Sequence, residues 1–180
     1  MFLQFQKLKR LQLPFFHSAR LMNISIIVAF AKKNRLIGSE GKLLWKLPKD
    51  LKRFKSITMG HFCVVGFNTF SYLPPLPDRH LIVLSQKHKI DSSCHYYASS
   101  IHEAIDIAKS KKERELFCIG GEKTYTSFLP FADTLYITEV LGEYEGDAFF
   151  PMFDENDYNL ISEERLENMI FKTYNRKHIN

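Results

Sequence analysis

The sequence has few cysteines, no long apolar run and no clustering of metal-binding side chains. Its three cysteines, Cys63, Cys94 and Cys118, are odd in number and form no CxxC pair. They argue against a disulfide scaffold or a structural zinc site and indicate a reducing compartment. The seven histidines form no HxH or HxxxH spacing, and no Gly-x-Ser-x-Gly elbow is present. No apolar run reaches the ~18 residues that a membrane span needs. The sequence therefore predicts no metal site, no membrane partner and a cytoplasmic location.

What the sequence does contain is enough apolar material for one folded domain. Of its 180 residues, 45 % are hydrophobic and 14 % aromatic, with 16 Phe, so disorder over the whole length is excluded. The net charge of +5 is uneven, because residues 32–55 carry nine Lys and Arg against two acids, whereas residues 139–167 carry ten acids against one Arg. The sequence pI of about 9.0 reflects the basic residues of 1–21 and the basic segment at 32–55, and not a basic protein throughout. A nucleic-acid binder more often shows a basic face with exposed aromatics, so no nucleic-acid partner is expected.

Residues 1–21 look like an addition to this domain. They are basic, contain no acid and are interrupted by Pro14, and Met22 directly precedes the first predicted strand. Three interpretations remain open. The segment is an extended or misassigned start, a tail without special function, or a targeting peptide, although it lacks a proper apolar h-region and a small-residue cleavage site. We predict a poorly ordered extension at 1–21 and a single domain at 22–180.

From residue 23 onward, short apolar runs alternate with amphipathic segments. The patterns predict strands at 24–31, 61–66, 80–85, 94–98, 115–119 and 134–140, and a terminal hairpin at 158–164 and 168–174. Helices are predicted at 48–58, at 68–73, after a capping box that begins at Ser100, and after Gly121. Residues 34–47 form a polar loop. We therefore predict a single α/β domain, with a mostly parallel central sheet, helices on both faces and a C-terminal antiparallel hairpin at one edge.

The predicted helix at 48–58 contains one acid. One face carries the residues at i, i+3, i+4 and i+7, which are Leu47, Asp50, Leu51 and Phe54. The other face is predicted to carry the basic residues Lys49, Lys52 and Arg53. Asp50 is either an acid of the first turn, stabilised by the helix dipole, or a carboxylate facing a cleft. In a cleft, desolvation raises its pKa, and the carboxylate can bind an amidine-like ring edge through two hydrogen bonds.

Two predicted strand-to-helix junctions contain glycine. One is Gly120-Gly121 before a helix, and the other is Gly66, with the Thr69 hydroxyl close behind it. Each is either a plain tight turn or a place where a phosphate meets free backbone N–H groups. Two such junctions in one parallel sheet are compatible with a long ligand that crosses the carboxyl ends of the strands. Arg79 is either a solvated surface residue or a guanidinium that binds a substrate carboxylate.

Six segments carry a resemblance in order and spacing: IIVAFAKKNRLIG, LLWKLPKDLKRFK, VVGFNTF, PLPDRHLIVLS, CIGGEKTYTSFLPFADTLYIT and EGDAFFP. Together they resemble the chromosomal type of dihydrofolate reductase, strongly over residues 24–151 and weakly over the hairpin beyond. The resemblance implies a monomeric enzyme that binds dihydrofolate and folate analogues. It implies hydride transfer from NADPH to give tetrahydrofolate, which supplies one-carbon metabolism and nucleotide synthesis.

The resemblance also implies roles for individual residues. Asp50 matches the carboxylate that binds the pterin and supports its protonation, Trp45 a residue that orders a water, and Thr138 the hydroxyl bonded to the carboxylate. Further substrate positions are Val28 and Ile119, through their carbonyls, and Leu51, Phe54, Leu73, Tyr125 and Arg79, the last as a clamp on the glutamate α-carboxylate. Cofactor positions are Phe30, Leu36, Ile37, Gly38, Ser39, Glu40, Gly41, Lys42, Gly66, Asn68, Thr69, Ser85, Gln86, Lys87, Gly120, Gly121, Glu122, Lys123, Thr124, Tyr125, Thr126 and Ser127. Residues 36–42 match a mobile loop over the nicotinamide, and Asp147 the acid that helps to hold it closed.

Three positions depart from the family pattern. Leu44 stands where Pro usually precedes the Trp, and Phe30 stands where a small residue is common, which predicts a tighter nicotinamide pocket. Phe67 stands where many members have a cation near the adenosine 2′-phosphate. Recognition of that phosphate then falls to other groups, for which the candidates are Gln86, Lys87, His88 and Lys123.

Two other functions remain as alternatives. A pyrimidine reductase of riboflavin synthesis has the same fold, but should lack Trp45 and Asp50 on an LPxDLxxF helix. A non-catalytic relative that binds folate or RNA is disfavoured by the presence of Asp50, Trp45, Thr138 and Arg79, and RNA binding would show a steep salt dependence.

Overall fold

The computed structural model describes residues 22–86 and 95–177. Its strands are β1 (Asn23–Ala31), β2 (Leu36–Gly38), β3 (Phe62–Gly66), β4 (His80–Leu84), β5 (Tyr96–Ala98), β6 (Glu115–Cys118), β7 (Thr134–Val140), β8 (Ala148–Phe149), β9 (Tyr158–Arg165) and β10 (Met169–Arg176). Its helices are α1 (Pro48–Thr58), α2 (Phe67–Phe70), α3 (Ile101–Ser110) and α4 (Glu122–Phe128), with 3₁₀ turns at Leu129–Phe131 and Glu155–Asp157. The predicted extension at 1–21, Lys87, His88 and Cys94 lie outside the described residues.

Eight strands form the main sheet in the order β5-β4-β3-β6-β1-β7-β10-β9. The first six are parallel, and β10 is antiparallel to both β7 and β9. The apolar run of β1 lies inside the sheet between β6 and β7, as its continuous hydrophobicity predicts. The α/β class, the mostly parallel sheet and the terminal hairpin at one edge are confirmed.

Helices cover both faces of this sheet. On one face, Ile24, Ile26 and Val28 of β1 pack in a cluster that includes residues of α3 and α4. On the other face, Ile27 packs with Cys63 and Phe117, and the partly buried Phe54 of α1 lies against this cluster. Alternation along β1 therefore sends successive side chains to two separate cores.

The loop predicted at 34–47 contains a short strand that sequence patterning did not show. Leu36 of β2 pairs with Phe149 of β8, and this ladder forms a separate two-stranded sheet. A three-residue strand is too short to display alternation, and its partner is more than 100 residues away. The capping box also differs in one bond. Ser100 accepts from the Glu103 N–H at 3.1 Å, whereas the Glu103 carboxylate accepts from the Ser99 N–H at 2.7 Å.

Cys63 and Cys118 are both free and buried, and they belong to clusters on opposite faces of the sheet. Burial raises the pKa of the Cys63 thiol to about 12 and also raises the pKa of Cys118. Both thiols are therefore inert near neutral pH. Across 22–86 and 95–177, the helices are too short or too polar to cross a membrane, and side chains suited to a metal ion form no group of three.

Candidate active site

Asp50 lies in the first turn of α1, and its carboxylate crosses to the central sheet. The Thr138 hydroxyl donates a hydrogen bond of 2.6 Å to Asp50 Oδ1. Thr138 is buried on β7, where it pairs with Ala29 of β1 and Phe171 of β10. The N-terminus of α1 has no side-chain cap. The hydrogen bond of Asp50 is made to Thr138 of the central sheet. The cleft interpretation of Asp50 therefore fits the geometry better than the helix-dipole interpretation.

Opposing effects act on the ionisation of Asp50. Burial is the largest and raises the pKa of Asp50, while the Thr138 hydrogen bond and the charge of Arg53 lower it, and the net direction is upward. A half-buried carboxylate with a raised pKa on an apolar helix face is typical of an acid–base site.

Arg53 does not lie on the solvent face, and the prediction that placed it there with Lys49 and Lys52 is wrong. Its guanidinium is half-buried, 4.7 Å from the centre of the Phe171 ring, and donates to Thr138 Oγ1 at 3.4 Å. Residues three apart are neighbours on a helix surface, so Arg53 borders Asp50. The i, i+3 spacing from Asp50 could have indicated this position of Arg53. The Phe171 ring that covers Arg53, however, lies on β10, about 120 residues away in sequence.

Trp45 lies just before α1 and packs with Leu47, Val140 and Met169. Its ring meets the edge of Tyr144 at 5.1 Å. The indole Nε1 is buried, and within the described chain it has no hydrogen-bond partner. A buried N–H without a protein partner is a position for a water or a ligand oxygen.

Arg79 follows the predicted Pro-Leu-Pro turn and is half-buried. Its Nε and Nη1 are buried and find no partner in the part of the chain that the structure describes. The guanidinium lies 5.9 Å from the Phe54 ring, and Leu73 packs in the same cluster as Phe54. Two buried donors beside an apolar wall fit a ligand carboxylate better than a solvated surface role. Leu51 is 49 % exposed, so the apolar face of α1 is only partly covered by the protein.

The two glycine junctions contact each other at the carboxyl ends of β3 and β6. The Gly66 N–H donates to the Gly120 carbonyl at 2.8 Å, and the peptide bond between Gly120 and Gly121 is cis. A Cβ added at Gly66 would lie 2.7 Å from Thr124 Oγ1, and one added at Gly121 would lie 2.6 Å from Thr69 Oγ1. A larger residue at either position would therefore push a threonine side chain aside. Neither α2 nor α4 begins with a side-chain cap.

The neighbouring positions of these junctions are divided between surface and core. Thr124 and Tyr125 are buried, and the Tyr125 hydroxyl donates to the Ile27 carbonyl at 3.0 Å. Ile119 follows β6 and donates to the Val64 carbonyl at 2.9 Å. The exposed positions are Asn68, Gln86, Glu122, Lys123, Thr126 and Ser127, and Ser85 is half-buried at the end of β4.

The loop at 36–42 is held against the segment around β8. The Glu40 N–H lies 3.2 and 3.3 Å from the two carboxylate oxygens of Asp147, and Glu122 accepts from the Phe149 N–H at 3.1 Å. Gly41 has φ +78, and a Cβ there would lie 2.6 Å from the Tyr72 ring. Leu44, at the position where the family has Pro, is 38 % exposed.

The side chain of Phe30 is not brought to the Asp50 cleft. It stacks on Phe150 at 5.4 Å and packs with Val28 in the cluster on the face opposite α1. The predicted narrowing of the nicotinamide pocket by this ring therefore does not follow from the geometry.

Comparisons with known proteins agree on one family. The family model described as dihydrofolate reductase matches residues 23–178. The chain is 41 % identical over 143 residues to the dihydrofolate reductase of Bacillus subtilis, which covers 79 % of this chain and 83 % of that protein. It is 35 % identical over 145 residues to that of Staphylococcus haemolyticus, covering 80 % and 86 %. A solved structure, dihydrofolate reductase from Enterococcus faecalis complexed with NADP(H) and RAB-propyl, matches with a TM-score of 0.78 and 30 % identity, over 87 % of this chain and 97 % of that one.

Proposed function

The chain belongs to the dihydrofolate reductase family and reduces dihydrofolate to tetrahydrofolate with NADPH, and we propose that Asp50, Thr138 and Trp45 form its catalytic centre. The observation that carries this proposal is the half-buried Asp50 carboxylate, held by the buried Thr138 hydroxyl at 2.6 Å. The Thr138 hydroxyl donates to Oδ1 of Asp50 from the side of the central sheet. The carboxylate is then fixed in orientation and retains acceptor capacity toward the cleft.

Asp50 is suited to bind the amino edge of a pterin. An ionised carboxylate accepts two parallel hydrogen bonds from such an edge, and partial burial strengthens both. A carboxylate engaged in this way does not reach the ring nitrogen that is protonated. We assign proton delivery to a water near Trp45, whose buried indole N–H has no protein partner within the described residues.

The apolar wall beside Asp50 fits the rest of the substrate. Leu51, Phe54 and Leu73 are assigned to the aminobenzoyl ring. Leu51 is exposed on α1, and Phe54 packs in the same cluster as Leu73, so the three can form an apolar wall. Arg79 is assigned to the glutamate α-carboxylate, since two of its buried donors lack a partner among residues 22–86 and 95–177. The carbonyls of Val28 and Ile119 remain assigned to the pterin amino groups.

The glycine crossing fits the cofactor. A nicotinamide cofactor supplies the hydride when bound, and the chain supplies orientation and exclusion of water. Gly66 and Gly121 allow the backbone to approach a diphosphate closely, and Thr69 lies beside Gly121. The loop at 36–42, held by Asp147, is assigned to cover the nicotinamide.

The decisive experiment follows NADPH oxidation by dihydrofolate in the wild type and in Asp50→Asn. Asparagine keeps the size but cannot hold a negative charge, so turnover at neutral pH should fall by more than about 100-fold, within the range of acid–base contributions. Asp106→Asn, an exposed acid on α3, is the matched control and should behave as the wild type. Near-normal turnover of Asp50→Asn at neutral pH would overturn the assignment.

The location and the oligomeric state are also proposals. We infer a cytoplasmic location, because Cys63 and Cys118 are free thiols, as is usual in a reducing compartment. The monomeric state stays a prediction.

A further inference from the structure

Arg53 lies beside the Asp50 carboxylate but has no part in the reaction as assigned above. Its Nη1 is 3.4 Å from Thr138 Oγ1, and that oxygen is 2.6 Å from Asp50 Oδ1. The three side chains thus form a short chain that joins α1 to the central strand β7. Thr138 lies between the other two side chains and can bond to both of them.

The direction follows from which groups can donate. A guanidinium has donors only, and a threonine hydroxyl has a single proton and two acceptor positions. When Arg53 donates to Thr138 Oγ1, it occupies an acceptor position and leaves the hydroxyl proton for Asp50. The arrangement therefore favours the hydroxyl rotamer that stabilises an ionised Asp50, and it polarises the O–H group in the same sense.

Arg53 is held in place by the C-terminal hairpin. Its Nη2 donates to the Lys172 carbonyl at 3.3 Å and lies 3.5 Å from Thr173 Oγ1. The guanidinium lies over the Phe171 ring at 4.7 Å and near the Tyr136 ring at 5.9 Å. Among the described residues, no carboxylate lies within 4.0 Å of Arg53, so its charge is not neutralised by a direct ion pair. The positive charge therefore remains available to act on Asp50.

We propose that Arg53 is a positioning residue for Asp50, which orients the Thr138 hydroxyl and keeps the carboxylate ionised at the pH where the enzyme works. The inference rests on the proposed role of Asp50. It assigns to the C-terminal hairpin an indirect function, because Phe171 and Lys172 fix the guanidinium that acts on the catalytic carboxylate. Arg53 touches neither reacting atom in this assignment and acts through Thr138 and through its charge.

Other charged and titratable groups lie near Asp50 or Arg53 and interact with them electrostatically. They are Tyr125 on α4, Tyr136 on β7 and Glu164 on β9. Burial raises the pKa of Tyr136 to about 12 and raises the pKa of Tyr125 well above its usual value, so neither ionises near neutral pH. Lys172 is engaged by Glu139 at 2.8 Å. Arg53 is thus the group whose charge counters the effect of burial on Asp50, since it lowers the carboxyl pKa that burial raises.

The test compares Arg53→Met, Arg53→Gln and Arg53→Lys in the full-length protein. The pKa of Asp50 is read from the carboxyl ¹³C shift of aspartate-labelled protein, with the resonance assigned by its loss in Asp50→Asn. The pH profile of single-turnover hydride transfer is measured in parallel. We expect Arg53→Met to move the Asp50 pKa upward by about one unit, the lower end of the effect of a neighbouring opposite charge. Arg53→Gln, which retains a donor without the charge, should give a smaller shift, and Arg53→Lys should restore most of the wild-type value.

Two further variants separate this effect from general destabilisation. Lys55→Met removes an equal charge from an exposed position of the same helix and should leave the Asp50 pKa unchanged. In a Thr138→Val background, Arg53→Met should shift the pKa less than in the wild type, because the hydroxyl that transmits part of the effect is gone. A purely structural role of Arg53 would lower Tm without moving the pKa.

The outcomes distinguish this inference from the proposed function. If Asp50→Asn abolishes turnover but Arg53→Met leaves the Asp50 pKa and the pH profile at their wild-type values, the positioning role is wrong and the catalytic role stands. If Asp50→Asn retains turnover, the catalytic role is wrong, whatever the ¹³C titration of Arg53→Met shows. Equal shifts for Arg53→Met and Lys55→Met would also overturn the specific role of Arg53.

Discussion

The Glu40 N–H lies between the two carboxylate oxygens of Asp147, at 3.2 and 3.3 Å, although 107 residues separate them in sequence. This contact ties the loop at 36–42 to the segment that forms β8. It is exposed, so it stabilises the fold little, but it selects one position of a loop beside the proposed cleft.

Removing this contact should affect catalysis more than stability. In Asp147→Ala, the loss of an exposed charged contact, worth up to about 1 kcal/mol, should lower the hydride-transfer rate by up to about fivefold. The measurement is stopped-flow hydride transfer together with thermal unfolding. Glu145→Ala, an exposed acid two residues earlier, is the control and should leave the rate unchanged. Equal rates for the two variants would contradict the role of Asp147.

Asp50 should cost the protein stability at neutral pH. Burial raises the carboxyl pKa in the folded state above its unfolded value, so the folded protein binds the proton more tightly. For an acid of this kind, the folding cost is present above the folded pKa and disappears as the pH falls below the unfolded pKa. Asp50→Asn should therefore have a higher Tm than the wild type at pH 7, with the difference shrinking toward pH 3. A lower Tm of the variant at pH 7 would contradict the net upward shift.

Arg79 should govern substrate affinity and not the chemical step. In Arg79→Lys, one fork of parallel donors is lost, so KM for dihydrofolate should rise by about tenfold or more, from the 1.5–3 kcal/mol of a hydrogen bond to a charged group. The value of kcat should change little. A pterin substrate without the glutamate provides the control, because wild type and variant should reduce it with equal kcat/KM. A similar loss with both substrates would place the effect elsewhere.

Phe67 should weaken, but not abolish, the preference for NADPH over NADH. We expect Lys123 at the start of α4, together with the sequence candidates Gln86, Lys87 and His88, to bind the 2′-phosphate in place of the missing cation. Phe67→Arg should raise the preference by about tenfold, the effect of one charge-assisted contact, and Lys123→Ala should lower it. The readout is the ratio of kcat/KM for the two cofactors. Equal use of NADH and NADPH by the wild type would show that no such compensation exists.

Deletion of residues 1–21 should leave turnover and Tm nearly unchanged. The family match begins at residue 23, and β1 begins at Asn23. The truncated chain from Met22 is compared with the full chain by NADPH oxidation and by thermal unfolding. A large fall in Tm on deletion would show that apolar residues of the extension pack on the domain.

The sequence by itself determined the elements that have strong local signals. The continuous β-branched run of β1 and the Pro-initiated helix α1 are set by residue type and spacing within a short stretch of chain. The motif around Asp50 and the Gly120-Gly121 junction indicated the family for the same reason, because residue type and spacing are properties of a short stretch of chain.

The tertiary structure alone decided what crosses from one segment to another. Leu36 lies in a strand because it pairs with Phe149. Phe30 lies in the core, where it stacks on Phe150. Arg53 left the solvent face of α1 because Phe171 covers it and the Lys172 carbonyl accepts from it. Helical periodicity predicts the direction in which a long side chain leaves the helix, but not where its terminal group lies. A flexible stem at the border of two faces is placed by the partners it finds, and for Arg53 these partners lie on the last strand of the fold.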